Sequence, residues 1–524
     1  MQHQRFTRLV CAGTALCLLL GLFVGCVAVT EPSTAAQSTD TAEPSEQPVQ
    51  ASTAAPVEVS VDAPPEGMGE PPSGERPEGT PPGGMGEPPS GERPEGTPPG
   101  GMGEPPSGGM SGGGPGGSSA DIDYVGAVEI TSADTQSDQT YWTDAVDESA
   151  LLISTADAVT IGNPTVTKSG SSDGGDNCNF YGLNAAVLVK DGASVTITGG
   201  TISSDATGAN GLFCYGGNGG SNGAAGDGTT VTVRDTVITT TGSGSGGIMT
   251  TGGGVTYAYD LTVTTSGQSS APIRTDRGGG TVYVDGGTYT SGGLGSPAIY
   301  STAEIHVANA VLMSNLSEGV CIEGKNSIEL TDCDLTANNT RMNGNATFLD
   351  TIMIYQSMSG DADSGTSAFT MTGGTLTSQS GHVFHVTNTS AIITLSGVTI
   401  VNEDGENILL SVCADGWNGA GNVATLNAKG QILEGLLLVG SDSALTLNLT
   451  EGSAFTGTVS GVITNAKGDV VSTQAGEVHV TLDADSTWTL TGDTYVTSFT
   501  GDASGVASNG YTLYVNGVAL SGTK

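Results

Sequence analysis

The chain has 524 residues, with 83 glycines and 54 Asp plus Glu against 14 Lys plus Arg, a formal net charge of -40. Nucleic acid is excluded as a partner, because phosphate binding needs clustered cations; a polyanion would be repelled unless cations are locally concentrated or calcium intervenes. The charge suits a soluble exported protein, and 8 cysteines without a C-x-x-C pair support neither zinc nor thioredoxin-like chemistry.

Residues 1–26 place Arg5 and Arg8 before an apolar run from Leu9 to Val24, which reads as an export signal rather than a spanning helix. The run ends Leu22-Phe23-Val24-Gly25-Cys26, and this resembles the lipobox of bacterial lipoproteins. The resemblance implies that Cys26 is lipidated and becomes the mature N-terminus. Its acyl chains, at about 0.8 kcal/mol per buried methylene, would hold the protein on the extracellular face of the cell membrane. No other membrane contact is expected.

Residues 27–120 hold all of the 22 prolines except Pro164, Pro272 and Pro297. Within them G-M-G-E-P-P-S-G-E-R-P-E-G-T-P-P-G begins at Gly67, repeats at Gly84 and is truncated from Gly101. Such a composition cannot bury a core, so a disordered stalk is expected, carrying the next domain away from the membrane.

Residues 121–158, with Trp142 and Ala150-Leu151-Leu152-Ile153, are expected to cap the first turn of a repeat that starts at Val159. Its clearest units open with Val282-x-Val284, Ile305-x-Val307 and Ile328-x-Leu330, 23 residues apart, and each continues to one further apolar residue: Tyr289, Leu312, Leu335. The same opening is read at Val195, Val231 and Tyr257 upstream and at Phe369 and Ile393 downstream. A fixed period of this length means a repeat architecture. Alternation inside each unit predicts strands, and the glycine, asparagine and aspartate between them predict tight turns, with no helix. Three short strands and three bends make one coil, which cannot bury its apolar face until neighbours stack on it.

These units resemble the pectin-lyase-like right-handed parallel β-helix proteins across residues 121–524. The resemblance implies an all-β solenoid of about a dozen coils, each of about 23–26 residues, with its main body over 159–444. Excursions from the repeat occur at 169–181, 216–228, 337–347, 357–366 and 414–421, where recognition elements are added in solenoids. Residues 445–524 read as C-terminal coils and cap, and S-T-W-T-L-T-G-D-T-Y-V-T at 486–497 resembles the late coils of β-helical adhesin passenger domains. Neither an outer-membrane barrel nor a sortase signal is read there, so anchoring is expected to fall to Cys26.

The fold does not name the chemistry, since it carries lyases, hydrolases, adhesins and binding modules alike. Stacked coils set equivalent residues in columns about 4.8 Å apart. Aligning Ile273-Arg274-Thr275-Asp276 with Ile299-Tyr300-Ser301-Thr302, Ile322-Glu323-Gly324-Lys325, Ile354-Tyr355 and Phe384-His385 gives an outward column of Arg274, Tyr300, Glu323, Tyr355 and His385. A neighbouring column reads Asp276, Thr302, Lys325. Rings flanked by charged and hydrogen-bonding groups suit a carbohydrate, and Arg274 or Arg277 would hold a uronate carboxylate through two parallel hydrogen bonds. The alternative is that Arg274 and Glu323 pair along the stack and the tyrosines are ordinary strand residues.

Pectate lyases of this fold group acidic side chains around calcium beside a proton-removing arginine; near Arg274 and Arg277 only Asp276, Asp285 and Glu323 stand. The paired aspartates of polygalacturonase-like members have no counterpart, and glycosidase chemistry needs such a pair. Asp361-Ala362-Asp363-Ser364-Gly365 has part of a calcium loop, and His382 and His385, three apart in a strand, should face opposite ways. Cys178, Cys214, Cys321, Cys333 and Cys413 read as buried free thiols, with a Cys178–Cys214 or Cys321–Cys333 bridge as the alternative. The expectation is a non-catalytic, adhesin-like surface protein binding a polysaccharide or a host or cell-wall surface, without a cofactor unless calcium serves. The competing class is a polysaccharide lyase acting on uronate-containing chains.

Overall fold

The inward residues of the repeat form ladders that run the length of the molecule. One runs Val159, Val195, Val231, Thr256, Val282, Ile305, Ile328, Phe369, Ile393, Leu426, Leu447 and Val480, each in register with the next. All twelve side chains are buried. Each large apolar member is worth roughly 1.5–3 kcal/mol of burial, and none could be buried by its own coil.

The structure, a computed structural model, describes residues 122–219, 225–417 and 421–524. The expected export signal with Cys26 and the expected stalk over 27–120 lie outside the described residues. What is described is a parallel β-helix with three long sheets of 15, 14 and 10 strands, neighbours pairing in parallel from coil to coil. The 23-residue period is the observed register: Val282 pairs with Ile305 and Ile305 with Ile328 on one sheet, Tyr289 with Leu312 and Leu312 with Leu335 on another.

Three features differ from the sequence expectation, and the cysteines agree with it. Parallel stacking already begins within 121–158, where Glu129–Ile130, Asp134–Ser137 and Thr140–Thr143 supply one strand to each long sheet. The inward position of the unit near 257 belongs to Thr256, which pairs with Val231 and Val282, while Tyr257 faces out. Threonine is tolerated inside because its hydroxyl meets that of Thr250 at 2.7 Å. The excursion at 169–181 contains a short helix, Asp176–Tyr181, whose Cys178, Phe180 and Tyr181 are buried. All five cysteines of the described residues are free and buried, so neither alternative bridge forms.

A polar ladder lines the turn that enters the 15-stranded sheet. Ser245, Ser270 and Ser296 stack on successive coils: the Ser245 N–H donates to Ser270 Oγ and the Ser270 N–H to Ser296 Oγ, both at 2.9 Å. Each hydroxyl donates onward to a carbonyl one coil back, Ala206, Gly242 and Gly267 respectively. Those contacts need glycine three residues before the serine. A Cβ on Gly267 would lie 1.8 Å from Gly242 O, and one on Gly293 1.7 Å from Gly267 O. Gly267→Ala should therefore lower stability by about 1–3 kcal/mol through overpacking. Gly405→Ala, at an exposed turn where a Cβ meets nothing within 4 Å, should be near neutral; equal denaturant midpoints for the two variants would contradict the ladder's role.

Candidate functional site

The 15-stranded sheet departs from simple in-out alternation. Every residue of Leu212–Tyr215, Ile248–Thr251, Val320–Glu323 and His382–Thr387 is buried, so both faces of these strands are covered. The inner face meets the core, and the excursions cover the outer one. Phe180 and Tyr181 pack with Leu188, Phe213, Tyr215 and Met249. At the other end Phe348 packs with Ile408, Cys413 and Leu438.

Between the two covers the outer column becomes polar. Registered from Leu188 it reads Phe213, Met249, Arg274, Tyr300, Cys321, Met353, His385, Ser411 and Leu438. Arg274 over Tyr300 is the expected pairing, but Tyr300 sits against Cys321, two residues before Glu323. Only 21 residues separate Ile299 from its partner Val320, so Val320 takes the inward position that the repeat suggested for Ile322. A two-residue slip keeps every side chain on its face. Glu323 thus moves to the adjacent outer column, where it pairs with Tyr355.

Glu323 is the centre of the cluster that results. It is buried and accepts hydrogen bonds from Tyr300 Oη at 2.5 Å and Tyr355 Oη at 3.0 Å on one oxygen. Its other oxygen accepts from the hydroxyls of Ser357 and Ser359, both from the 357–366 excursion. Burial, followed by the neighbouring Glu323 charge, holds both tyrosines well above the usual phenol range. They stay protonated and act as donors.

Arg274 and Asp276 complete the floor. Arg274 Nη2 lies 2.6 Å from Asp276 Oδ2, its Nη1 donates to Ser269 O at 3.0 Å, and its guanidinium sits 5.7 Å from the Tyr300 ring centre. Asp276 also accepts from the Arg277 N–H. Despite the ion pair, burial pushes the Asp276 carboxyl up to about 6, because desolvation and the nearby Asp361 outweigh Arg274. A cleft of about 210 Å³ opens over these groups, lined by Ser269, Arg274, Pro297, Tyr300, Asn343 and Tyr355 among others.

The other expected site residues lie elsewhere. Arg277 binds Asp361 at 2.5 Å and lies 4.2 Å from the Phe180 ring, tying the helix and the 357–366 excursion to the coil. Lys325 is at an exposed position and pairs with Asp363 at 2.9 Å. The two carboxylates of the calcium-loop resemblance are thus each matched to a cation, and no group of three or more metal-ligating side chains occurs among the described residues.

His385 is fully buried beneath Phe348, with Nδ1 2.7 Å from Ser411 Oγ and Nε2 3.4 Å from Asp415. It is a packing and hydrogen-bonding group of the covered face, not part of the cleft. His382 Nδ1 is also 2.7 Å from Ser411 Oγ, so the two histidines converge. His382 opens its strand directly after Gly381, at φ 76°, where the pleat does not yet govern direction. Burial and the adjacent His385 lower the His382 imidazole to about 3, leaving it neutral.

Asn343, Ser357, Ser359 and Trp417, whose ring lies 4.9 Å from that of Tyr355, join the site from excursions and were not singled out from the sequence. The excursions themselves were the available signal, together with unbroken apolar runs such as Ile408-Leu409-Leu410 that mark a doubly covered strand. No protein-family profile, no curated protein and no solved structure matches the chain.

A raised carboxyl stabilises the fold fully below its unfolded value and loses that contribution as pH rises through its folded value. For Asp276 the window runs from about pH 4 to above pH 6. Asp276→Asn should therefore lose less stability than the parent between pH 4 and pH 7.5, by about 1–3 kcal/mol. Parallel pH profiles of the unfolding midpoint would show that Asp276 is not held in its neutral form by burial.

Proposed function

We propose that the β-helix is a non-catalytic carbohydrate-binding module, exported, anchored through Cys26 and held away from the membrane by residues 27–120, as an adhesin is. The observation that carries this reading is the polar gap between two covered stretches of one face. Over Arg274 and Tyr300 both protective packings stop, and the cleft there offers two phenol rings and Pro297 as apolar surface beside guanidinium, amide and hydroxyl groups. Rings for the apolar faces of a sugar and fixed polar groups for its hydroxyls are what saccharide recognition needs.

The proton inventory supports binding over elimination. Both Glu323 oxygens are already taken by hydroxyl donors, and Tyr300 and Tyr355 keep their protons, so none of the three is a ready general base. Charge favours a neutral sugar. Arg274 is matched by Asp276, and Glu323 stands beside them, so a uronate carboxylate would meet two carboxylates and a guanidinium already engaged.

The purified protein on a glycan array should retain neutral oligosaccharides, and Arg274→Ala combined with Tyr300→Ala should weaken that binding by tenfold or more. Accumulation of unsaturated uronate product, followed by its ultraviolet absorbance with calcium added, would replace this reading with that of a polysaccharide lyase. Unchanged affinity in the double variant would remove the cleft as the site.

A further inference from the structure

The outer face of the 14-stranded sheet carries a second concentration of aromatic side chains, remote in chemistry from the Arg274 cleft. Register sets Tyr257 against Tyr283, Tyr283 against His306 and His306 against Glu329. The rings stack nearly parallel: Tyr257 and Tyr283 lie 5.1 Å apart at 9°, Tyr283 and His306 5.0 Å apart at 9°. Two residues along the same strands a second outward column reads Tyr259, Asp285, Ala308, Thr331. Ala308 is short, and a groove of about 420 Å³ opens along the two columns, with Tyr259 among its walls.

Charge decides what such a groove takes. The acids at it are Asp285 and Glu329, with Glu304 beside them. The one base, His306, is already held between Glu304 at 2.8 Å and Glu329 at 3.0 Å. Tyr259 already receives a cation from within the chain, the Arg234 guanidinium 3.6 Å from its ring centre. A pyranose is recognised by lying on an open ring face, and Tyr283 has a ring stacked on each of its faces. A cation instead meets exposed carboxylates and phenol oxygens, which need no open ring face, and the chain's charge of -40 raises its local concentration.

We infer that this groove is a second ligand site, independent of the Arg274 cleft, and that it binds an organic cation with an apolar body, an alkylammonium or guanidinium group. The rings and Ala308 cover the apolar body, and Asp285 and Glu329, two coils and about 9.6 Å apart along the stack, flank the charge. A choline headgroup and a lysine or arginine side chain of a polypeptide share that chemistry.

The test is a titration of the purified protein, its tyrosine rings labelled for NMR, with choline, N-acetyl-lysine amide, N-acetyl-arginine amide and methyl glucoside. A cation should shift the Tyr259 and Tyr283 ring resonances, bind more weakly as salt is added, and lose about tenfold in affinity with Tyr259→Ala or Glu329→Gln. Arg274→Ala should leave this binding unchanged, which separates it from the cleft. Response to choline alone assigns a headgroup and response to the amides alone a polypeptide; response to both leaves a site that reads charge and apolar body only. Absence of any shift from cations at tens of millimolar, the same shifts from methyl glucoside, or undiminished affinity in the near-isosteric Glu329→Gln variant would overturn the inference.

Discussion

Every part of this structure depends on one constraint, that an inward side chain finds its apolar neighbours above and below it and not within its own coil. The ladder from Val159 to Val480 is the expression of that constraint, and it forces successive coils into register to within a residue. Register then propagates to everything else. The serine ladder at Ser245, Ser270 and Ser296 exists because the apolar ladders hold the turns at hydrogen-bonding distance, and the glycines before it exist because that distance leaves no room for a Cβ. The same stacking aligns Tyr257, Tyr283 and His306 on the surface.

The constraint also explains where function can be added. An outer face of a solenoid is repetitive, and inserted chain is one way to turn part of it into a cleft. Here the excursions cover most of the outer face of the 15-stranded sheet, and the cleft is the interval they leave between Met249 and Met353. Within it polar groups are satisfied by one another: Glu323 by four hydroxyls, Arg274 by Asp276 and Ser269. A buried network of this kind is rigid when complete, because each unpaired group in a low dielectric costs about 1–3 kcal/mol. Rigidity at the floor lets the few groups at the surface present a fixed pattern.

The fold was legible in the sequence because period and parity are properties of spacing, and the 23-residue recurrence at Val282, Ile305 and Ile328 states both. Parity also carried part of the site. Glu323 was aligned correctly with Tyr355 but also with Tyr300, whose partner is Cys321 two residues earlier; an even error leaves Glu323 on the right face, and Tyr300 reaches it from the next column. What spacing does not carry is depth. His385 shares the outer column with Arg274, and only the position of Phe348, directly after the 337–347 excursion and in no regular period, decides that one is sealed and the other borders a cleft. Tyr257 and Thr256 show the complementary failure: hydrophobicity alone favours the tyrosine as the inward residue, but a threonine whose hydroxyl has a partner inside satisfies the ladder and frees the ring to stack outside. The helix at Asp176–Tyr181 is six residues long, too short for a periodic signal.

The Arg274–Asp276 pair bears on why the cleft is polar at all. Buried ion pairs are weak sources of stability, and replacing one with apolar residues of similar volume is often neutral or stabilising. This column shows that such residues fit, since methionine occupies it one coil before Arg274, at Met249, and again at Met353, both buried. An apolar residue at position 274 would extend the packing under the helix and close the gap between the two covers. Packing therefore does not call for the pair, and burial even works against the Asp276 charge. What the pair does provide is a guanidinium fixed by two acceptors at the wall of a cleft, the feature that the proposed saccharide binding would use.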